Sequence, residues 1–309
     1  MHTMRTLLVV GAGDVARRAL PLLQSRWRVL ALCRSDQAAS RWRALGATPV
    51  PADLDRPDSL ERLAGLADAV LLTAPPPGQG RNDPRMRKLL YALAKGHSIP
   101  QQLVYISSSG VYGDASSMLL DETAALKPQS ERALRRVDAE ATLRRFAAAR
   151  GAALTILRAP GIYADERLPL ARFASGEPLI DAAEDSWSNH IHADDLARLC
   201  VAALARRSGG IRVYNACDDR PLPVGEWYQR LADTLGLPCP PRLPRDEARR
   251  RMSPQRWSFL AESRRLDNRR IRRELAMPLL WPNVLHYLAA LGADPARKAA
   301  ILASYAEIR

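Results

Sequence analysis

Two closely spaced glycines near the start of the chain have the spacing of a phosphate-binding turn. Residues 6–10 are uncharged and rich in valine and leucine, which predicts a strand buried on both faces, and Gly11 and Gly13 follow at once. Gly11 permits a tight turn, and Gly13 lets the backbone approach a pyrophosphate. The helix predicted to begin there offers the free N–H groups of Asp14 and Val15 to the same anion. This pattern predicts a dinucleotide site, although a glycine turn also occurs in other α/β proteins.

Arg34 and Ser35 stand at the end of the next predicted strand, residues 28–33, a little over twenty positions after Gly11. An acidic residue at this place would bind the ribose 2′-hydroxyl of NAD. A guanidinium and a hydroxyl group suit the 2′-phosphate of NADP instead. The sequence therefore favours NADP and leaves NAD open; the alternative is an ordinary exposed arginine at a strand end.

Two further strand ends supply residues to the same predicted site. Asp53 and Leu54 follow a short strand at 48–50, and the Asp53 carboxylate is suited to accept a hydrogen bond from an adenine amino group. Thr73 and Ala74 follow a strand at 69–72. Ligands of a doubly wound fold lie at the carboxyl ends of its strands, so this exit is expected to pass over the cofactor.

Composition limits the class of protein. The 309-residue chain is 47% hydrophobic and 26% charged, as in ordinary soluble globular proteins. No apolar run is long enough to span a bilayer, and the chain enters its first strand without a signal-peptide pattern. Its four cysteines, at positions 33, 200, 217 and 239, have no zinc-ligand spacing. We therefore expect a cytoplasmic protein with free thiols, no membrane association and no metal site.

The formal net charge of +13 raises the question of nucleic-acid binding. Many of the arginines lie between residues 242 and 273, where acids interrupt them and few aromatic residues are available to stack on bases. A solvated basic face explains this pattern better than nucleic-acid binding, and it would still attract a phosphate-bearing ligand. We expect the partner to be a small-molecule substrate.

Several motifs further along the chain occur in a characteristic order. They are Ser-Ser-Ser-Gly-Val-Tyr-Gly-Asp at 107–114, Ile-Leu-Arg-Ala-Pro-Gly-Ile-Tyr at 156–163, His-Ile-His-Ala-Asp-Asp-Leu-Ala at 190–197, Val-Tyr-Asn-Ala at 213–216 and an arginine-rich segment at 263–275. Together with the glycine turn, they resemble the extended short-chain dehydrogenase/reductase family of NAD(P)-dependent epimerases and dehydratases. In that family the loop containing Pro160 lies over the nicotinamide.

The resemblance implies an α/β fold, with a Rossmann-like doubly wound parallel sheet and a small, discontinuous, α-rich C-terminal substrate lobe. We expect the NAD(P)-binding domain to comprise residues 1–158 and 191–217, and the lobe to comprise residues 159–190 and 218–309. Family dimers pair the helices that correspond to 83–95 and 130–150. The second helix is rich in arginine here, so both a monomer and a homodimer remain open.

The helix that carries the family's catalytic Tyr-x-x-x-Lys pair departs from the pattern. Aligning it on Glu140 puts Arg136 at the lysine position and Arg132 at the tyrosine position. A phenol can give up its proton near neutrality beside a cation, whereas arginine stays charged. Arg136 can still bind ribose hydroxyls and supply positive charge. A literal Tyr-x-x-x-Lys at 91–95 precedes the serine-bearing strand and is therefore not expected to be catalytic.

Three other residues are candidates to replace the absent Tyr–Lys pair in binding the substrate oxygen and transferring a proton. Ser108 takes the family's Ser/Thr position and is suited to hydrogen-bond a substrate oxygen. The family topology brings Tyr163 and His192 toward the cleft, and an imidazole has the pKa for acid–base work. The alternative for His192 is a structural cap of the helix that starts at Asp194-Asp195.

The sequence therefore predicts an NADP-dependent oxidoreductase or epimerase-type enzyme acting on a hydroxyl or carbonyl group. The substrate is expected to be sugar-like or phosphorylated. The alternative is a non-catalytic NADP(H)-binding redox sensor or scaffold protein, which the absent Tyr–Lys pair favours.

Overall fold

The computed structural model describes residues 4–206 and 209–308. Its strands are β1 Arg5–Val10, β2 Trp27–Cys33, β3 Thr48–Pro51, β4 Ala69–Leu72, β5 Gln102–Ser108, β6 Leu119–Leu120, β7 Ala153–Ala159, β8 Gly161–Tyr163, β9 Leu179–Ile180, β10 Trp187–Ser188, β11 His190–His192, β12 Ile211–Asn215, β13 Leu222–Pro223, β14 Arg242–Leu243 and β15 Arg265–Leu266. Its α-helices are α1 Asp14–Leu23, α2 Asp36–Ala44, α3 Pro84–Ala94, α4 Glu131–Arg150, α5 Leu170–Ser175, α6 Ala193–Ala205, α7 Val224–Leu235, α8 Arg245–Arg251, α9 Pro254–Leu260, α10 Arg269–Leu275, α11 Val284–Gly292 and α12 Pro295–Ile308.

Within the described residues, seven strands form one parallel sheet in the order β3, β2, β1, β4, β5, β7, β12. Strand β1 pairs with β2 on one side and with β4 on the other. The direction of strand progression therefore reverses at β1, and a cleft forms at the carboxyl ends of β1 and β4. The predicted doubly wound parallel sheet is confirmed.

Helices cover both faces of this sheet. Leu7 and Val9 of β1 face a buried cluster that includes α1, α2 and α6. Leu8 and Val10 face a second cluster that includes α3 and α4. Successive residues of a strand point to opposite faces, so a strand covered on both sides must be apolar throughout. This is why the first strand carries an uninterrupted apolar run.

A third hydrophobic cluster lies outside the sheet and joins two separated parts of the chain. Tyr163 and Phe173 come from the first part, and Trp227 and Tyr287 come from the second. Two short strand pairs, β9 with β14 and β10 with β13, connect these two parts, and the pair of β6 with β15 connects the second part to the segment after β5. The lobe is thus discontinuous and rich in helices, while its exact boundaries at 158/159, 190/191 and 217/218 stay a prediction.

Within residues 4–206 and 209–308, no helix is both long enough and apolar enough to cross a membrane. The same residues contain no group of three or more His, Cys, Asp or Glu side chains that could hold a metal ion. All four cysteines are free thiols, and Cys33, Cys200 and Cys217 are buried.

Candidate active site and cofactor cleft

The glycine turn after β1 packs directly on the end of β4. Gly11 has φ +108°, and a Cβ atom there would lie only 2.2 Å from the backbone nitrogen of Ala74. Thr73 closes the contact, because its Oγ1 donates to the Gly11 carbonyl oxygen at 2.6 Å. The N–H groups of Thr73 and Ala74 both donate to the Val10 carbonyl oxygen. Only glycine therefore fits at position 11, and the predicted neighbours Thr73 and Ala74 lie beside it.

Gly13 has a different role in the same turn. It precedes α1 with φ −91°, it is exposed, and a Cβ atom there would meet nothing within 4 Å. The space in front of the α1 N-terminus is therefore open, as the approach of a pyrophosphate requires. The Asp14 carboxylate forms ion pairs with Arg18 at 3.0 Å and with Arg167 at 3.3 Å. Those pairs offset the negative charge that Asp14 brings to an anion site.

The predicted adenosine end lies at the ends of β2 and β3. Arg34 and Ser35 are exposed, and Ser35 caps α2 by accepting the N–H of Ala38. The Asp53 Oδ1 accepts the N–H of Asp55 in a local turn. Residues of the loops after β3 and β4 and of α3 line a small cleft beside β1: Val10, Leu54, Leu72, Ala74, Pro75, Asp83, Arg85, Met86 and Leu89.

A cavity of about 380 Å³ lies between the sheet domain and the lobe. Three residues expected from the sequence line it, namely Ser108, Pro160 and Tyr163. The lobe contributes aromatic and charged side chains, which are Trp187, Trp227, Tyr228, Phe259, Arg167, Arg256, Arg264 and Glu262. The cavity thus begins at the carboxyl ends of β5 and β7, where a doubly wound sheet binds its ligands.

Ser108 is the last residue of β5 and precedes a short 3-10 turn at Ser109–Tyr112. Its hydroxyl oxygen accepts the N–H of Gly110 at 3.2 Å. The hydroxyl proton is not used in that contact, so it is available to a group in the cavity. Ser108 therefore has the location and the donor that its predicted role requires.

The two arginines that replace the Tyr–Lys pair lie on α4 and have different partners. Arg136 Nη1 donates to Tyr105 Oη at 3.0 Å and to the Ile106 carbonyl oxygen at 2.8 Å, so its guanidinium group braces the end of β5. Arg132 lines the cavity and reaches into the lobe. It donates to Ser258 Oγ and to the Ser258 carbonyl oxygen, at 2.7 and 2.8 Å. Its guanidinium carbon lies 3.6 Å from the ring centroid of Phe259.

A buried polar network supports this end of the sheet. Glu140 and Arg158 form a two-point ion pair with Nη2–Oε2 and Nε–Oε1 distances of 2.8 and 3.1 Å. Ser107 donates to Glu140 Oε1, Arg158 donates to Tyr112 Oη, and Tyr112 donates to Asn215. The network connects β5, α4, β7 and β12. Sequence reasoning used Glu140 only to align the helix and missed Arg158. The available signal was a charged residue inside an otherwise uncharged strand, β7.

Tyr163 lies at the centre of an aromatic cluster. Its ring centroid is 5.2 Å from that of His192, 5.1 Å from that of Tyr287 and 6.0 Å from that of Trp227. The ring lines the cavity, but the hydroxyl oxygen is buried and has no hydrogen-bond partner among the described residues. Burial raises the pKa of Tyr163 above its ordinary value.

The two histidines of β11 lie on one face of the strand, as their spacing predicts. His192 is buried, and its Nδ1 accepts the N–H of Asp194 at 3.2 Å, which caps α6. Burial lowers the pKa of His192. The residues that line the cavity include His190 and not His192. The catalytic role of His192 stays a prediction, and its cap agrees with the structural alternative.

Comparisons with known proteins identify the family of this chain. A sequence profile described as NAD(P)H-binding matches residues 11–207. A 2′-dehydrokanamycin reductase from Streptomyces kanamyceticus is 30% identical over 180 residues, which are 54% of this chain and only 50% of that protein. A conserved protein of unknown function from Silicibacter pomeroyi has a solved structure with TM-score 0.75 and 30% identity, covering 94% of this chain and 99% of that one. A provisionally assigned NAD-dependent epimerase/dehydratase from Methylobacillus flagellatus has TM-score 0.69 and 25% identity, covering 94% and 98%.

The fold and the cleft define an α/β protein with a dinucleotide site at the carboxyl ends of its sheet. The chain belongs to the NAD(P)H-binding family whose profile it matches. Its structural neighbours include the NAD-dependent epimerase/dehydratase group of extended short-chain dehydrogenases/reductases, so the resemblance noted from the motifs is confirmed. The family implies a nicotinamide dinucleotide, and Gly11, Gly13 and the open N-terminus of α1 fit the pyrophosphate of that cofactor.

Proposed function

We propose that the protein is an NADP(H)-dependent oxidoreductase or epimerase-type enzyme that acts on a hydroxyl or carbonyl group of a small anionic substrate. The observation that carries the proposal is the cavity of about 380 Å³ that begins at Ser108 and Pro160. A protein that only bound the dinucleotide would not need a second cavity, lined by the lobe, next to the cofactor loop. The bound cofactor would donate or accept a hydride at the substrate carbon.

The cofactor lies, in this proposal, along the edge from α2 to the cavity. Arg34 and Ser35 bind the 2′-phosphate of NADP, and Asp53 and Leu54 contact the adenine. The backbone at Gly13, Asp14 and Val15 binds the pyrophosphate through free N–H groups. Thr73, Ala74 and Pro160 border the path toward the nicotinamide. NADP is preferred to NAD because a guanidinium group and a hydroxyl group, those of Arg34 and Ser35, directly follow β2 and precede the first carboxylate.

The chain's own polar groups would orient the substrate. Ser108 donates its hydroxyl proton to the reacting oxygen, and Arg136 supplies positive charge behind β5 and keeps that strand end in position. Tyr163 and His192 stay candidates for proton transfer. The buried hydroxyl of Tyr163 and the capping bond of His192 make them less accessible to a substrate than the cavity-lining His190.

The lining of the cavity favours an anionic substrate. The cavity lining contains four arginines, at positions 132, 167, 256 and 264, and one carboxylate, Glu262. Guanidinium groups pair well with carboxylates and phosphates, and the aromatic side chains offer flat surfaces to a ring. A phosphorylated or acidic sugar-like molecule satisfies both features.

The second candidate function is a redox sensor or scaffold that binds NADP(H) without chemistry. It is favoured by Arg132, which occupies the tyrosine position and bonds to Ser258 and Phe259 of the lobe. Such an interaction would couple the two parts of the molecule. The tests below distinguish the two functions.

Calorimetric titration with NADPH and, separately, NADH tests the cofactor assignment. We expect NADPH to bind more tightly than NADH, and Arg34→Ala to weaken NADPH binding about tenfold while NADH binding stays the same. Arg41→Ala, on the exposed side of α2, is the matched control. Absence of binding by both dinucleotides would refute both functions.

Ser108→Ala then separates enzyme from sensor. Once a panel of carbonyl compounds and sugar phosphates has given a turnover signal with NADPH, the variant should lose most of that turnover and keep its NADPH affinity. Unchanged turnover would remove Ser108 from the proposed chemistry. A protein that binds NADPH tightly and turns over no member of the panel would favour the sensor.

A further inference from the structure

Two of the four arginines that line the cavity are bonded to carboxylates. Arg264 Nη1 lies 2.6 Å from Glu262 Oε2, and it also donates to the Gly113 carbonyl oxygen. Arg167 Nη1 lies 3.3 Å from Asp14 Oδ2. A neighbouring carboxylate offsets the charge of a guanidinium group, so these two arginines attract a further anion less strongly than arginines without such a partner.

The other two arginines, Arg132 and Arg256, have only neutral hydrogen-bond partners among the described residues. Arg132 donates to the hydroxyl and carbonyl oxygens of Ser258, at 2.7 and 2.8 Å. Arg256 Nη2 donates to Tyr228 Oη at 2.6 Å, and its Nε is buried without a partner in the same part of the chain. A guanidinium group has five N–H donors, so both side chains have donors left for a ligand.

Helix α9 brings these two positive charges to one part of the cavity. Arg256 and Phe259 are three positions apart on this helix, and residues at that spacing are neighbours on one helical face. The Arg132 guanidinium carbon lies 3.6 Å from the centroid of the Phe259 ring. All three side chains line the cavity. The two guanidinium groups therefore lie on the Phe259 side of the cavity, one from α4 of the sheet domain and one from the lobe.

Aromatic rings orient both guanidinium groups. Arg132 stacks on Phe259, and the Arg256 guanidinium carbon lies 5.4 Å from the centroid of the Tyr228 ring, whose hydroxyl oxygen accepts its hydrogen bond. An arginine that is already oriented loses less conformational freedom when it binds an anion. Its planar array of donors matches the oxygen atoms of a carboxylate or a phosphate.

The first turn of α4, which carries Arg132, lies beside Ser108. A Cβ atom at Gly110 would lie 3.4 Å from Ser108 Oγ and 3.9 Å from Ala133 Cβ, so this glycine is the only residue between them. Ser108 and Arg132 both line the cavity from the sheet domain. One ligand can therefore place an oxygen at Ser108 and an anionic group at the arginines.

We infer that Arg132 and Arg256 form a subsite between α4 and α9 that binds the anionic group of the substrate, a carboxylate or a phosphate. The inference rests on the proposed function, and it places the negative charge of the substrate on the α9 side of Ser108. Arg132, which aligns with the family's tyrosine, recognises the substrate in this arrangement and transfers no proton. The bound anion neutralises the two arginines and connects the sheet domain to the lobe.

Calorimetric titration of the full-length protein with inorganic phosphate and, separately, with malonate tests the subsite. NADPH is present at saturation, so that the anion sites of the cofactor are occupied. We expect Arg132→Ala and Arg256→Ala each to weaken binding of the tighter anion about tenfold, because each removes charge-assisted hydrogen bonds. Arg250→Ala removes an exposed charge from α8 of the same lobe and is the matched control, which should keep the wild-type affinity.

Two further variants separate recognition of the anion from a structural role of Arg132. Ser258→Ala removes a hydroxyl that accepts from Arg132 and keeps both cations, so the anion affinity should stay the same. Glu262→Gln removes the carboxylate beside Arg264 and should raise the affinity about threefold. A purely structural role predicts a loss in Ser258→Ala and no gain in Glu262→Gln.

Near-UV circular dichroism shows whether each variant is folded, and Arg132→Gln takes the place of Arg132→Ala if the alanine variant is not. Absence of anion binding by the wild type would overturn the subsite, as would an unchanged affinity in both arginine variants. If the wild type binds no NADPH, the proposed function is refuted. The same anion titrations of the cofactor-free protein then still test the subsite by itself.

Discussion

Arg167 of the lobe forms an ion pair with Asp14 at the first position of α1, with an Nη1–Oδ2 distance of 3.3 Å. Arg167 also lines the large cavity, so one side chain touches both the glycine-turn helix and the proposed substrate site. Asp14 further pairs with Arg18, which in turn binds Asp194 and Glu166. The cofactor cleft and the lobe are therefore connected by charge as well as by packing.

Arg167→Ala should weaken NADPH binding about fivefold, because Asp14 would lose one of its cationic partners and repel the pyrophosphate more strongly. The loss should shrink at high salt, since the pair is partly exposed and screened. Arg17→Ala is the control, because Arg17 pairs with Asp14 along the same helix and is not among the residues lining the cavity. Equal losses in the two variants, measured by calorimetry, would contradict a bridging role for Arg167.

Gly11→Ala and Gly13→Ala should separate stability from binding. Alanine at position 11 has an unfavourable φ and a Cβ atom 2.2 Å from Ala74, so we expect a loss of at least about 2 kcal/mol in unfolding free energy. Alanine at position 13 fits the folded protein but places a methyl group where the pyrophosphate must approach. It should keep the melting temperature and lose NADPH affinity. Thermal unfolding and NADPH titration of both variants test these predictions. A Gly11→Ala protein as stable as the wild type would contradict the predicted loss of stability.

Glu140→Ala should destabilise the fold by about 3–5 kcal/mol, because it leaves the buried Arg158 guanidinium without its carboxylate. Urea unfolding measures the change. Glu61→Ala removes the carboxylate of an exposed pair with Lys95 and should change stability by less than about 0.5 kcal/mol. A small effect at Glu140 would mean that Arg158 reaches other partners or water.

His190 should make the protein less stable in acid. Burial lowers its pKa to about 4, below the ordinary value of 6.5. As the pH falls below 6.5, His190 binds a proton in the unfolded chain but stays neutral in the folded chain. The free energy of unfolding therefore decreases between pH 6.5 and 4, by up to about 3 kcal/mol. The groups facing the imidazole are Ser188, Tyr163 and Trp227.

The measurement is a comparison of urea unfolding at several pH values for the wild type and His190→Gln. The glutamine does not titrate, so the stability of the variant should fall less steeply between pH 6.5 and 4. Parallel curves for the two proteins would show that His190 already titrates normally in the folded state.

Local sequence determined the sheet and the glycine turn. Apolar runs predicted the strands, and they placed the turn after β1 and the exit of β4 at the same edge of the sheet, where Gly11 packs against Ala74. These predictions succeeded because strand burial leaves a pattern in consecutive residues, and because parallel strands bring their carboxyl ends to one edge.

Only the tertiary structure decided which side chains meet across the chain. Arg132 contacts Ser258, 126 positions away, and Arg158 binds Glu140 inside the protein, which no local pattern records. The same holds for the two histidines, which stand on either side of Ile191 in the same strand, β11. The N–H of Asp194 donates to Nδ1 of His192 and caps α6. His190 instead lines the cavity, where its Nε2 lies beside the Ser188 hydroxyl, which donates to the Leu222 carbonyl oxygen. Side-chain hydrogen bonding depends on atoms brought together by folding, and the order of residues alone does not specify it.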